Sequence, residues 1–261
     1  MTTIRLYRAA LAAFLLWAGI SASFLSAWAA DIGPLEVTHE EGLTRLMQNG
    51  PKIEIAAQFA PLSETAATPA AMPAIGLDAA NQVIEQQVLG QIEAFREEYQ
   101  AFLAGNDGVH IGPPWGLSIT AETLYAGPVF WTIDLETYFF TGGAHGGADN
   151  QALVLHRDTG EPIPPADLFK PDSDWLQRLA EASYQVLIQR EHFEPGDEWL
   201  VSGTAPEAEN YQVLLPLAEG IEVVFGQYQI GPYAIGISRV LLPYSAIRTV
   251  LNPTLFPDQE P

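Results

Sequence analysis

The chain contains no cysteine. That excludes disulfides, thiolate metal ligands and a lipid anchor on an N-terminal Cys. Basic residues are scarce as well: 11 Lys and Arg stand against 32 Asp and Glu, for a net charge of −21. Phosphate backbones and anionic membrane surfaces need clustered Lys and Arg, so neither nucleic acid nor an acidic lipid surface is an expected partner. A surface this acidic instead speeds encounter with cations and basic proteins. The histidines stand at 39, 110, 145, 156 and 192 and never fall three or four apart, so a helical metal-binding pair is absent. No Gly-x-Ser-x-Gly elbow occurs, and no Lys-Ser/Thr follows a glycine run to make a phosphate loop. Paired carboxylates carry no weight as a hydrolase signal where acids are this abundant. No catalytic residue, metal or cofactor is therefore expected, and no internal repeat is visible.

One long apolar run is present, at the N-terminus. Arg5 and Arg8 precede Ala9–Ile20, and Ala27-Trp28-Ala29 offers small residues at a cleavage position. Residues 1–29 read as a secretory signal, with an uncleaved anchor as the alternative. The protein is expected to be periplasmic or secreted, with no membrane insertion beyond that possible anchor.

The remainder divides into a lead-in (30–48), an N-terminal subdomain (49–147), a C-terminal subdomain (148–252) and a tail (253–261). Lys52–Phe59 alternates as a strand, with Ile53, Ile55 and Ala57 on one face. Pro61–Pro73 reads as a surface loop. Leu77, Asn81, Ile84, Val88, Ile92, Phe95, Tyr99 and Phe102 then recur at helical spacing, and Gly105-Asn106 ends that helix. Trp115–Tyr125 and Val129–Phe140 form a hairpin across Ala126-Gly127-Pro128, and the polar positions of its second strand suggest one open face. Ala152–His156 is a strand that runs into an Asp158-Thr159-Gly160 turn. A second helix spans about Ser173–Arg190, with Trp175, Leu176, Leu179, Val186 and Leu187 inward. Glu191–Asn210 reads as an acidic loop. Tyr211–Leu217, Ile221–Tyr228 and Ile235–Leu242 complete the strands, and Pro243–Leu251 closes the chain as a short helix with proline in its first turn. The expectation is an α+β fold, an antiparallel sheet built from hairpins with two main helices packed on it.

Two motifs stand out in order. Tyr138-Phe139-Phe140-Thr141-Gly142-Gly143-Ala144-His145-Gly146 is followed by the Asp158-Thr159-Gly160 turn and Asp167-Leu168-Phe169. Val224 to Gly236 contains Gly226-Gln227-Tyr228-Gln229-Ile230-Gly231-Pro232-Tyr233 and runs on to Leu242-Pro243-Tyr244. The ordered pair, spanning Lys52 to Leu251, resembles the extracytoplasmic module of the RsiV/PdaC type, known from lysozyme-sensing anti-sigma factors and found beside the deacetylase domain of PdaC-like proteins. The resemblance implies an RsiV-like fold and a non-enzymatic role in binding at the cell envelope. It points to a basic partner, with lysozyme first. The chain departs from both family settings. Only a few residues precede its apolar segment, too few to hold a sigma factor, and no deacetylase domain is visible. The alternative is a peptidoglycan or glycan binder, or a cryptic wall hydrolase.

Within these motifs Gly142, Gly143, Gly146 and Gly231 are read as turn residues. His145, Tyr228, Pro232, Tyr233 and Tyr244 are read as the partner-binding set, because tyrosine gives rigid amphipathic contact area. Each has a plainer alternative. His145 would hold its glycine turn through a backbone bond or, less simply, join Asp149 and His156 at a metal. The tyrosines would pack on the second helix, with Pro232 shaping a turn.

Overall fold

The computed structural model describes residues 33–63 and 75–259. The expected signal segment, residues 1–29, and most of the Pro61–Pro73 loop lie outside them. Six strands form the larger sheet in chain order: β1 (Glu36–Glu40), β2 (Leu43–Asn49), β3 (Ile53–Phe59), β4 (Trp115–Ala126), β5 (Phe130–Phe140) and β6 (Gly147–His156). Every junction is antiparallel except β3 with β4, which run parallel from Ile53 opposite Trp115. A parallel pair needs a long crossover. Helix α1 (Leu77–Ala104) provides it, and its C-cap is Gly105.

The periodicity of α1 explains its seat. Ala80, Ile84, Val88, Ile92, Phe95 and Tyr99 are buried along one stripe. They pack on Ile53, Ile55, Leu117, Ile119, Trp131, Ile133, Leu135, Leu153 and Leu155 of the sheet. Full burial of a residue such as Ile84 or Ile92 stabilises by about 1.5–3 kcal/mol.

β1 and β2 occupy a segment expected to be a patternless lead-in. β2 does alternate, but two of its three inward side chains, Thr44 and Gln48, are polar and leave Leu46 alone between them. A hydrophobic pattern cannot be read from one residue in three.

The smaller sheet is β7 (Leu214–Pro216), β8 (Gly220–Phe225) and β9 (Ser238–Pro243), antiparallel throughout. Helices α2 (Trp175–Leu187), α3 (Glu198–Gly203) and α4 (Tyr244–Ile247) pack around it, so the α+β reading holds. Its core joins Leu179, Leu187, Leu200, Tyr211, Ile221, Val223, Phe225, Val240 and Leu242 to Phe130 and Val154 of the larger sheet. The first half of the β5 face expected to be open, Phe130 to Asp134, is therefore covered, while Glu136 and Tyr138 further along it stay exposed. Thr132 is fully buried and donates to Pro216 O (2.6 Å), and Asp134 is 3% exposed. On α2, Val186 points outward and Ser183 takes the inner position. The expected acidic loop at 191–210 contains α3 and a 3-10 turn at Ala208–Tyr211. Asp197 makes α3 possible by accepting from Trp199 N (3.0 Å) and Leu200 N (2.9 Å). Pro243 stands at the N-cap of α4, one place before its first turn. The boundary drawn at 147/148 falls on the first residues of β6.

Candidate partner-binding site

The starts of β3, β4 and β6 and the end of β5 lie at the same end of the larger sheet. The 141–146 loop between β5 and β6 turns there, with Gly142 at φ +85°. The 226–237 loop between β8 and β9 arrives at the same place. Gln227 fixes it, its Oε1 accepting from Ala148 N (2.8 Å) at the start of β6.

This contact brings three expected residues together. The rings of His145 and Tyr233 stack at 3.9 Å between centroids, with 27° between their planes. Tyr228 lies 5.9 Å from Tyr233, and its hydroxyl stands 3.4 Å from His145 Nε2. His145 Nδ1 lies 2.9 Å from Gly146 O. A carbonyl only accepts, so Nδ1 carries the proton of the neutral ring and Nε2 faces Tyr228 as an acceptor. The backbone bond expected of this histidine is present, and the ring remains on the surface.

Tyr228 is held in an unfavourable conformation. Its φ is +62°, a left-handed value that is an outlier for a bulky residue. Its surroundings determine that geometry. Gln229 N donates to Gly226 O (3.1 Å), Gly226 N donates to Gln229 Oε1 (3.0 Å), and Gln229 Nε2 reaches Gly203 O and Asn210 O. Trp199 on α3 donates its indole N–H to Tyr228 O (2.8 Å). The Tyr228 and Trp199 side chains nevertheless remain 38% and 43% exposed.

Two rings of the face, Trp199 and Tyr138, are not among the expected partner-binding residues. Trp199 falls in the segment read as a loop, and the Asp197 cap three residues before Leu200 was the available signal. Tyr138 projects from the end of β5 over Gly146, where a Cβ would come within 2.3 Å of its hydroxyl. That close approach explains the glycine.

The remaining expected residues lie elsewhere. Pro232 is exposed and caps the 3-10 turn Tyr233–Ile235. Gly143 has ordinary surroundings, and Gly231 is buried against Ile235. Tyr244 does not join the face. It is 7% exposed, its hydroxyl donates to Leu217 O (2.6 Å), and burial pushes its pKa up. His156 accepts from Asp158 N at the far end of β6, about 30 Å from the glycine loop at 3.4 Å per residue. Among the described residues no group of three His, Asp or Glu is placed to hold a metal.

A cavity of about 80 Å³ lies under α1, lined by Phe95, Leu117, Leu135, Thr137 and Phe139 among others. Small-molecule sites usually enclose about 300–1,000 Å³, so the aromatic face is the better candidate. It is a surface rather than a pocket. Glu191, Glu194 and Glu198, in the segment leading into Trp199, are exposed and have no ion pair among the described residues.

These features define an α+β protein of two packed sheets that presents an open aromatic face. Residues 166–245, from the turn before α2 into α4, match the family described as Protein of unknown function (DUF3298). Over 115 residues, 44% of the chain, it is 27% identical to the peptidoglycan-N-acetylmuramic acid deacetylase PdaC of Bacillus subtilis (strain 168). That match spans only 25% of the relative's length. A crystal structure of a DUF3298 member from Bacteroides fragilis NCTC 9343 superposes with a TM-score of 0.56 at 17% identity, covering 87% of this chain and 98% of that one. A DUF3298 protein from Pseudomonas aeruginosa PAO1 gives 0.51 at 15% identity, covering 86% and 97%. Both share the fold. Among the described residues no helix is long and apolar enough to cross a membrane.

Proposed function

We propose that the protein is an extracytoplasmic binding module. Its aromatic face, formed by His145, Tyr228 and Tyr233 with Trp199 and Tyr138, would grip a basic protein active at the cell envelope. A lysozyme-type muramidase is the first partner to test. The observation that carries this reading is Tyr228. A non-glycine residue at φ +62° costs about 1–3 kcal/mol, and strain of this kind clusters at binding and catalytic sites. Here the presented ring is exposed and contributes little to the core. Rigid aromatic side chains of this kind dominate protein interfaces. The net charge of −21 supports a basic partner through faster encounter, and the signal-like residues 1–29 support an extracytoplasmic setting.

Titration against a basic lysozyme at low and physiological salt tests the reading. The expected result is binding that weakens with salt, and a loss of about 30-fold in the His145→Ala/Tyr233→Ala variant, equivalent to about 2 kcal/mol. An absence of binding at low salt sinks it. A second reading rests on the exposed Trp199 and Tyr228 rings, which suit sugar stacking, and on the peptidoglycan named in the PdaC relative. Sedimentation with purified sacculi, without lysozyme binding, would favour that reading instead.

A further inference from the structure

The loop between α1 and β4, residues 105–114, runs at Pro113 against the 141–146 loop of the aromatic face. Its shape is tightly set. Asp107, Gly108 and Gly112 take φ values of 53°, 77° and 106°. Gly108 N donates to Leu103 O (2.8 Å), Val109 N to Asn106 O (2.9 Å) and Asn106 Nδ2 to Phe102 O (2.7 Å). His110 then turns inward. Its Nε2 faces Pro113 O (2.9 Å) and Gly112 O (3.2 Å), and so must be the donor. Its Nδ1 is left to accept from Tyr99 OH at 3.1 Å. The ring also packs 5.7 Å from both Tyr99 and Phe102.

Anchoring His110 has a consequence for its neighbours. Val109 and Ile111 are left 57% and 65% exposed. Both are β-branched with stiff χ1 torsions, on a backbone braced from beneath, so contact would cost them little ordering entropy. The core gains almost nothing from either. The loop also touches the site: a Cβ at Gly142 would stand 3.9 Å from Pro113 Cδ and 3.7 Å from Trp115 Nε1. The loop that carries the exposed apolar pair therefore runs, at Pro113, against the loop that carries His145.

We infer that Val109 and Ile111 form a second arm of the same binding face, contacting an apolar patch on a folded basic protein. This rests on the reading of the face as a protein-binding site. Aliphatic side chains without a hydrogen-bonding group suit a protein surface and not a hydroxyl-rich glycan. A second copy of this chain is disfavoured, because each copy carries a net charge of −21. Charge complementarity leaves a basic protein as the occupant.

The test measures the affinity of the full chain for a basic lysozyme in wild type, Val109→Ser/Ile111→Ser and His145→Ala/Tyr233→Ala. Amide hydrogen exchange of the wild type is followed with and without the lysozyme. The serine variant should bind about ten-fold or more weakly, with the salt dependence of binding unchanged because no charge is altered. Residues 105–114 of the wild type should gain protection in the complex, a readout independent of how the variant folds. If the serine variant binds as the wild type does, or the loop gains no protection, the arm is refuted and the aromatic face stands. If the wild type does not bind at all, both readings fall together.

Discussion

Replacing Arg239 by methionine removes the cation that ties the two sheets together. Arg239 on β9 reaches Asp134 and Glu136 on β5, the latter at 2.7 Å, and Glu222 on β8 at 2.9 Å. Burial works against its charge, but Asp134 and Glu222 outweigh that, and the guanidinium is held more basic than usual. The three carboxylates differ in worth. Glu136 is largely exposed, and its pair contributes less than about 1 kcal/mol. Asp134 is 3% exposed, and its other oxygen accepts from Asn150 Nδ2 at 2.9 Å. A charge pair separated by about 4 Å at an effective dielectric of about 20 gains about 4 kcal/mol before desolvation. Removing one partner of a buried pair costs about 3–5 kcal/mol. Arg239 is partly exposed, so the lower end applies, at about 3 kcal/mol. Urea unfolding should show that loss with the m-value unchanged, and Tm should fall by roughly 6–12 °C. Adding Asp134→Asn should recover about 1–2 kcal/mol, because the orphaned charge becomes a neutral amide. The loop between β8 and β9 carries Tyr228 and Tyr233, so loosening these strands should also weaken partner binding. A loss below about 1 kcal/mol, or no recovery in the double variant, would refute the assignment.

Tyr228→Gly relieves the left-handed strain, so stability should hold or rise by about 1 kcal/mol, while partner affinity falls at least ten-fold in the same titration. Gly203→Ala should cost about 2–3 kcal/mol or more in urea unfolding, since the new methyl meets the backbone carbonyl of Gln229 at 2.0 Å. Gly146→Ala meets the Tyr138 ring first, whose exposed end can swing aside, and should cost less than about 1 kcal/mol while changing the near-UV spectrum. Burial pushes the pKa of both Tyr211 and Tyr244 up. Their stabilisation is complete below the unfolded-chain value of about 10 and is lost as pH rises above it. The slope should reach about 1.4 kcal/mol per pH unit for each tyrosine, and Tyr244→Phe should flatten it in denaturation measured from pH 9 to 12.

Sequence patterns revealed the elements whose packing partner is a single apolar stripe. α1 repeats at Ile84, Val88, Ile92, Phe95 and Tyr99 against one sheet face, so its spacing reports its burial directly. β2 and β5 were harder because each buries polar groups. Thr132 and Asp134 look like a solvent face until Pro216 and Arg239 arrive from about a hundred residues away to satisfy them. That information is tertiary and leaves no local period. The same limit governed the site. His145 stands out for the glycines around it and Tyr233 as a rigid amphipathic ring, but nothing local separates Tyr228, which is exposed, from Tyr244, which is buried. The difference is that Tyr228 sits in a turn at positive φ, whereas Tyr244 opens a helix that folds back onto Phe256.

Three loops meet at the candidate face, and each is braced by polar side chains of its own or of a neighbouring segment. Gln227, Gln229 and Trp199 hold the 226–237 loop, His145 bonds the carbonyl of Gly146, and His110 binds the carbonyls of Gly112 and Pro113. The side chains directed outward, Tyr228, Val109 and Ile111, are spared from that bracing. Stability and binding are thereby divided between residues of the same loops, with His145 and Trp199 serving both. A protein that needed these rings for its core would lose both properties when they are removed. Here, substitution of an outward residue should lower affinity without a loss of stability, and substitution of a bracing residue should lower stability. That division distinguishes a surface preorganised for a partner from aromatic residues left exposed by incomplete packing.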